Sequence, residues 1–169
     1  GLEDGVLTGL GKVISDSCVV IGGTGADNDL SGHWMIAGPD GVLKAGAAVL
    51  VCDWPWKIGV SYQGGYLATE HEGVVTAAEG RRSISIDNAP AVDVYERWMK
   101  KTLPRGVSVL PDTTLTPLAV AHGAGGGLDV HVLVHPERVN ADGSINCFAT
   151  TTKGDRILMS VPESARFSY

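Results

Sequence analysis

The sequence is poor in the features that announce a chemistry. Of its 169 residues only three are cysteine, Cys18, Cys52 and Cys147, an odd number with no C-x-x-C spacing. Neither a disulfide framework nor a thiolate metal site is therefore implied, and the apolar runs around each cysteine predict reduced core thiols. Positive charge is scarce: 13 Lys and Arg stand against 19 Asp and Glu, the net charge is −6, and no basic run exceeds Arg81-Arg82 or Lys100-Lys101. That leaves no electrostatic footprint for nucleic acid or an anionic membrane. No apolar run approaches the length that spans a bilayer and no signal-peptide pattern opens the sequence, so a soluble, cytoplasmic protein is expected. Aromatic residues make up 6% while glycine occurs 23 times, which favours tight turns and strands over a helical bundle.

Catalytic signatures are also missing. No serine sits in a G-x-S-x-G setting, and no pair of carboxylates is placed by sequence as acid and base. The loop after the apolar run Cys18 to Ile21, GGTGADND, lacks both the G-x-G-x-x-G spacing and a P-loop lysine, and no helix pattern follows it. A plain tight turn is the better reading than a nucleotide cradle. Cysteine nucleophiles need exposed thiolates, which apolar runs do not offer. Asp129, His131 and His135 alternate along one strand face, where a metal bridge needs a further ligand from a neighbouring strand. A solvent-facing polar strand explains them as well. No enzyme, cofactor or metal site is expected.

What the sequence does have is concentrated in Val74 to Lys101, VVTAAEGRRSISIDNAPAVDVYERWMKK. Val74 to Glu79 and Arg82 to Asp87 read as two strands around Gly80-Arg81, the second alternating Ile84 and Ile86 with Ser83, Ser85 and Asp87, which predicts a hairpin with one wet face. Pro90 suits a first helical turn, with Asn88 or Asp87 near enough to cap it. Ala91, Val94, Tyr95, Trp98 and Met99 then form one apolar stripe that must pack on a sheet. Asp93 with Arg97 and Glu96 with Lys100 are acid-before-base pairs, and Pro104 ends the helix.

Elsewhere an opening amphipathic helix precedes a buried strand at Cys18 to Ile21, and strands are expected at His33 to Ala37, Val42 to Cys52 and Lys57 to Tyr62, the first two joined by the turn Gly38-Pro39-Asp40-Gly41. Trp54 and Trp56 read as plugs for a core edge. Val107 to Leu110 and Pro117 to His122 are short strand candidates. Gly123 to Gly127 is the most flexible-looking segment, before a strand at Leu128 to His135. A final hairpin pairs Ser144 to Thr150 with Asp155 to Val161. The sum is an α+β fold, mostly antiparallel sheets of about nine strands with two main helices packed on one face. Residues 1–169 are expected to form a single domain, with 1–103 and 104–169 as possible sub-lobes.

The same stretches resemble the FIST domain, a sensory domain of intracellular signal-transduction proteins. The resemblance rests on Val75-Thr76, Ile86-Asp87, Ala89-Pro90-Ala91 and Asp93-Val94-Tyr95, on Val19 to Asp29 with its Gly-Gly end, and on Asp142 to Met159. The family's usual unit is longer and carries further strands and helices before the Gly-Gly strand. The resemblance therefore implies a domain or fragment covering the C-terminal part of that unit, in which a site shared with the rest would be incomplete. It also implies a small-molecule ligand such as an amino acid and a signalling output partner. Polar residues at strand ends beside glycines are the candidates for such a site: Gly23, Thr24 and Asp27 after the Gly-Gly strand, His71 before Val74, and Thr76 in the hairpin. A zwitterion needs an acidic partner for its ammonium and donors for its carboxylate, and these residue types supply both. Ordinary turn residues remain the alternative. So does an interaction or scaffolding module that binds protein through Trp54 and Trp56 without a small ligand.

Overall fold

A strand of 14 residues, Tyr66–Glu79, runs through the middle of the larger part of the chain. The computed structural model describes residues 3–15, 17–27, 31–60, 64–123 and 129–163, so Asp29, Tyr62, the segment 124–128 and the end of the tail lie outside the described residues. The fold is α+β as expected: ten strands, every pair antiparallel, and three helices among the described residues. The chain divides into two compact units, Gly1–Gly59 and Val60–Tyr169. Residues on both sides of position 103 share one core, because Leu103 and Val109 cluster with Val75, Tyr95 and Ile157.

The Gly1–Gly59 unit contains helix α1 (Glu3–Leu10) and the short hairpin of β1 (Ile36–Gly38) and β2 (Gly41–Leu43). The hairpin turns where Gly38-Pro39-Asp40-Gly41 predicts it, with Gly38 opposite Gly41 and Ile36 opposite Leu43. Gly41 holds φ at 123°, a value only glycine takes without strain. The strands expected at Cys18 to Ile21 and Lys57 to Tyr62 do not form within the described residues, and the return strand expected to reach Cys52 ends at Leu43. Ile21 is 75% exposed and Leu50 87%. An apolar run becomes a strand only where a ladder partner takes its backbone groups, and these runs have none among the described residues.

In the Val60–Tyr169 unit, β3 (Tyr66–Glu79) is followed by β4 (Arg82–Ile86), β5 (Ala89–Pro90), α2 (Ala91–Met99), α3 (Leu110–Thr113), β6 (Leu118–Gly123), β7 (Asp129–Val134), β8 (Pro136–Val139), β9 (Ile145–Cys147) and β10 (Arg156–Pro162). The sheet order is β7-β6-β10-β3-β4-β9-β8, with β5 paired to β4. The expected terminal hairpin is thus opened: β9 pairs with β4 and β8, β10 with β3 and β6, and the β3–β4 hairpin lies between them. The candidate strand at Val107 to Leu110 is reduced to a bridge from Ser108 to Arg138 before α3. The strand expected at Leu128 to His135 is β7, an end strand, with Val134 buried but Val130 and Val132 about two-fifths exposed.

Two bulges explain why alternation misreads the β3–β4 hairpin. Val75 faces Ile86 and Ala77 faces Ser85, which leaves Thr76 as an extra residue on β3; Ala78 then faces Ser83, which leaves Ile84 extra on β4. Each extra residue reverses the parity of the strand beyond it. Ser83 and Ile86 therefore both end fully buried, while Ile84, expected on the apolar face, is only half-buried.

The turn after β4 also differs from expectation. Asp87 and Asn88 have φ of 50° and 63° and close a two-residue hairpin to β5, Ile86 facing Ala89. They do not cap α2, whose N-cap is Pro90 without a side-chain hydrogen bond. Asp87 instead locks β3: its N–H donates to the Val74 carbonyl at 2.9 Å, and its Oδ1 accepts from the Val74 N–H at 2.8 Å. The predicted stripe of α2 holds, with Ala91, Val94 and Tyr95 buried, Trp98 and Met99 packed at the margin, and Val92 added to the core. Glu96 pairs with Arg105 at 2.6 Å rather than with Lys100, and also accepts the Leu103 N–H at 2.7 Å. Lys100 ends the helix in the left-handed region, four residues before Pro104.

Gly73 is where this arrangement is tightest. A Cβ there would stand 2.6 Å from Asp87 Oδ2 and 2.8 Å from Ile86 Cγ2. Gly73→Ala is expected to lower stability by about 1–3 kcal/mol through overpacking and displacement of Asp87. A urea midpoint unchanged from wild type would contradict it.

Candidate functional site

The residues picked from sequence fall in both units. Gly23, Thr24 and Asp27 belong to the Gly1–Gly59 unit, and His71 and Thr76 to Val60–Tyr169. The glycine-rich loop turns back on the approach to β1. Asp27 Oδ2 accepts the His33 N–H at 2.9 Å and the Ser31 hydroxyl at 3.3 Å, the use an aspartate side chain has in closing a turn. Gly25 lies against Trp34 and Ile36, a Cβ at that position meeting their side chains at 3.7 and 3.6 Å. Gly23 and Thr24 are exposed on the same loop, with open space around Gly23.

Beside this loop is an open hollow of about 210 Å³ lined by Gly32, His33, Trp34, Met35 and Lys44. The hairpin builds it. Because Ile36 faces Leu43, the residues just outside the ladder, Met35 and Lys44, are brought together at its open end. His33 and Lys44 were not picked out by sequence reasoning, although the Gly38 to Gly41 turn fixes their proximity once its register is counted outward. The Asp27 carboxylate holds one lining residue, His33, through Oδ2, and Oδ1 has no partner among the described residues. His33, Trp34 and Lys44 bring an imidazole, an indole and an ammonium to the hollow, and the Asp27 carboxylate is tied to it through the His33 N–H.

On β3, Thr76 is the bulge residue. Its hydroxyl lies 2.7 Å from the Ser85 hydroxyl and accepts the Asn88 N–H at 3.0 Å, so its hydrogen bonds are spent on the hairpin. His71 sits at a second, wider bulge. Leu158 faces Glu72 and Ser160 faces Ala68, so Met159 alone stands opposite Thr69, Glu70 and His71. Thr69 holds that bulge by donating to the Met159 carbonyl at 2.8 Å and accepting the His71 N–H at 3.2 Å. The His71 ring lies parallel to Trp98 of α2, with centroids 6.4 Å apart and planes within 7°.

The remaining candidates separate. His131 stands on β7 opposite Ala121, whereas His135 lies past the end of that strand, and the Asp129 side chain is outside the described residues. No group of three potential metal ligands occurs among the described residues. Cys147 is buried as expected, and burial pushes its thiol up to about 12, which suppresses the thiolate; Cys18 and Cys52 are exposed, against expectation, because the strands meant to bury them do not form. No helix among the described residues is long and apolar enough to cross a membrane.

A model of the FIST N domain matches residues 1–89 of the 169. The chain belongs to the FIST family. FIST domains are generally sensory domains of signalling proteins. Of the stretches that carry the resemblance, the match takes in Val19 to Asp29 and the β3–β4 hairpin and stops before α2. The Asp27 loop, the hollow and His71 all lie inside it. No curated protein and no solved structure matches the chain.

One group in the Val60–Tyr169 unit gives a pH signature. The Nε2 of His135 is buried without a hydrogen-bond partner among the described residues, and burial holds the imidazole below its ordinary pKa, with a hydrogen bond to the Thr113 backbone pulling the other way. The unfolded chain therefore takes up the proton first as pH falls, and folding loses stability below about pH 6.5. His135→Leu is expected to flatten that loss between about pH 7 and pH 5 in thermal melts. Parallel pH profiles for wild type and variant would refute the assignment.

Proposed function

We propose that this FIST domain is a cytoplasmic receptor module that binds a small zwitterion such as an amino acid, carries out no catalysis, and passes occupancy to a signalling partner by a shift in conformation. The observation that carries the reading is the hollow of Gly32, His33, Trp34, Met35 and Lys44 beside the Asp27 loop, within the residues matched by the family model. In this reading Lys44 and the His33 ring face the ligand carboxylate, Asp27 Oδ1 takes the ammonium, and Gly23 and Thr24 supply loop backbone close to it. His71 and Thr76 are left out of this site, since their contacts are internal to the other unit.

The test is a melt screen of the chain against the amino acids, where a ligand at one hundred times its dissociation constant adds about 2.7 kcal/mol. A shift confined to one side-chain class, lost in Lys44→Ala and reduced in Asp27→Asn, is expected. Wild-type protein that shifts with no amino acid, or Lys44→Ala that shifts as wild type does, would refute the reading.

One observation favours a second reading. Trp54 and Trp56, expected to plug a core, are 57% and 69% exposed and meet edge to face at 5.4 Å. An exposed tryptophan pair suits a protein contact, since buried aromatic anchors dominate interface energy. A concentration-dependent dimer abolished by Trp56→Ser, with no ligand response, would favour a scaffolding module over a receptor.

A further inference from the structure

We infer that His71 and Trp98 form a second binding platform, one that takes a flat, uncharged nitrogen heteroaromatic ring by stacking. The inference does not depend on the zwitterion reading, which concerns the other unit. It starts from an expenditure the fold makes at His71. Three residues of β3 oppose the single Met159 of β10, and a threonine hydroxyl is committed to holding them there. Bulges of this kind re-aim a side chain, and this one presents His71 flat toward the indole of Trp98.

The pair is not a closed packing contact. Both residues are half-buried, and their parallel rings have centroids 6.4 Å apart, near the far end of the range for attracting aromatic pairs. At that separation the ring centres do not cover each other, so π surface is left uncovered on a helix and a strand that are both fixed by the core. Tyr95, one turn before Trp98, is fully buried with its hydroxyl on the Thr116 carbonyl at 2.7 Å, which anchors α2 at this point. A third ring stacks at about 3.5 Å on the surface that the offset leaves uncovered, extending the parallel pair without parting it. The charge of the ligand is set by the flanks. Glu70, exposed beside His71, disfavours a phosphate-bearing ligand, as does the net charge of −6, while Glu72 is paired with Arg156 at 3.7 Å.

The experiment is a tryptophan-fluorescence titration of the full chain with adenine and, separately, with adenosine monophosphate. Saturable quenching by adenine is expected in wild type, with weaker binding of the phosphorylated form. Trp98→Leu should abolish the saturable component, and His71→Ala should weaken it by about tenfold or more, the usual loss when one stacking ring is removed. His71→Phe, which keeps a ring, should retain it, and this variant decides the matter should His71→Ala fail to fold. No saturable quenching in folded wild type would overturn the inference. So would quenching undiminished in Trp98→Leu or His71→Phe binding no better than His71→Ala, and tighter binding of the monophosphate would overturn the assigned ligand class. The titration reads a residue of the Val60–Tyr169 unit, so a failed amino-acid screen and a failed titration are separate outcomes.

Discussion

A carboxylate packed where a side chain is missing sets the geometry of the larger unit. Asp87 can return to β3 and hold both backbone groups of Val74 only because Gly73, beside it, has no Cβ. That contact fixes where the β4–β5 turn closes, and the turn fixes where α2 starts. With α2 in place, Tyr95 reaches the Thr116 carbonyl and joins the core that runs from Val75 to Met159. Everything proposed for His71 and Trp98 depends on these two elements meeting in this register.

The bulges on β3 show how such a strand serves two purposes. An unbroken ladder of 14 residues would place side chains in strict alternation along both neighbours. Extra residues at Thr69 to His71 against β10 and at Thr76 against β4 let the strand satisfy β10 and β4 while moving selected polar side chains off the alternating grid. Thr76 is consumed by the hairpin it bends. His71 is only half-buried and faces an indole, which is why it, among the polar residues of β3, carries a functional argument.

Legibility in the sequence followed the range of the interactions. The hairpin of β3 and β4, the stripe of α2 and the turn at Gly38 to Gly41 were readable because their causes are local: turn chemistry and a 3.6-residue period. The N-terminal half of β3 was not readable, since Glu70, His71, Glu72 and Gly73 carry no strand preference and are held by β10, more than eighty residues away. The pairing of β9 and β10 failed for the same reason: a short turn invites a hairpin, and only the prior occupancy of the space between them by β3 and β4 forbids it. The apolar runs at Cys18 to Ile21 and Val49 to Cys52 were misread as strands because composition reports β preference and says nothing of a partner. Of the site, Asp27 and its glycine loop were visible from residue type. Lys44 and His33 were missed because their proximity is a consequence of hairpin register rather than of sequence neighbourhood.

β3, closed onto β4 by Asp87 and onto β10 by Thr69, is the organising strand of the Val60–Tyr169 unit. Residue-resolved amide hydrogen exchange on the full chain tests this most directly, because the slowest amides mark the elements that open only with the whole structure. The slowest exchange is expected in β3, β4 and β10, with Val74 and Val75 among the most protected, and rapid exchange at Val19 to Ile21 and Val49 to Val51. Fast exchange along β3 from Thr69 to Val75, or protection of the apolar runs equal to that of β3, would contradict it.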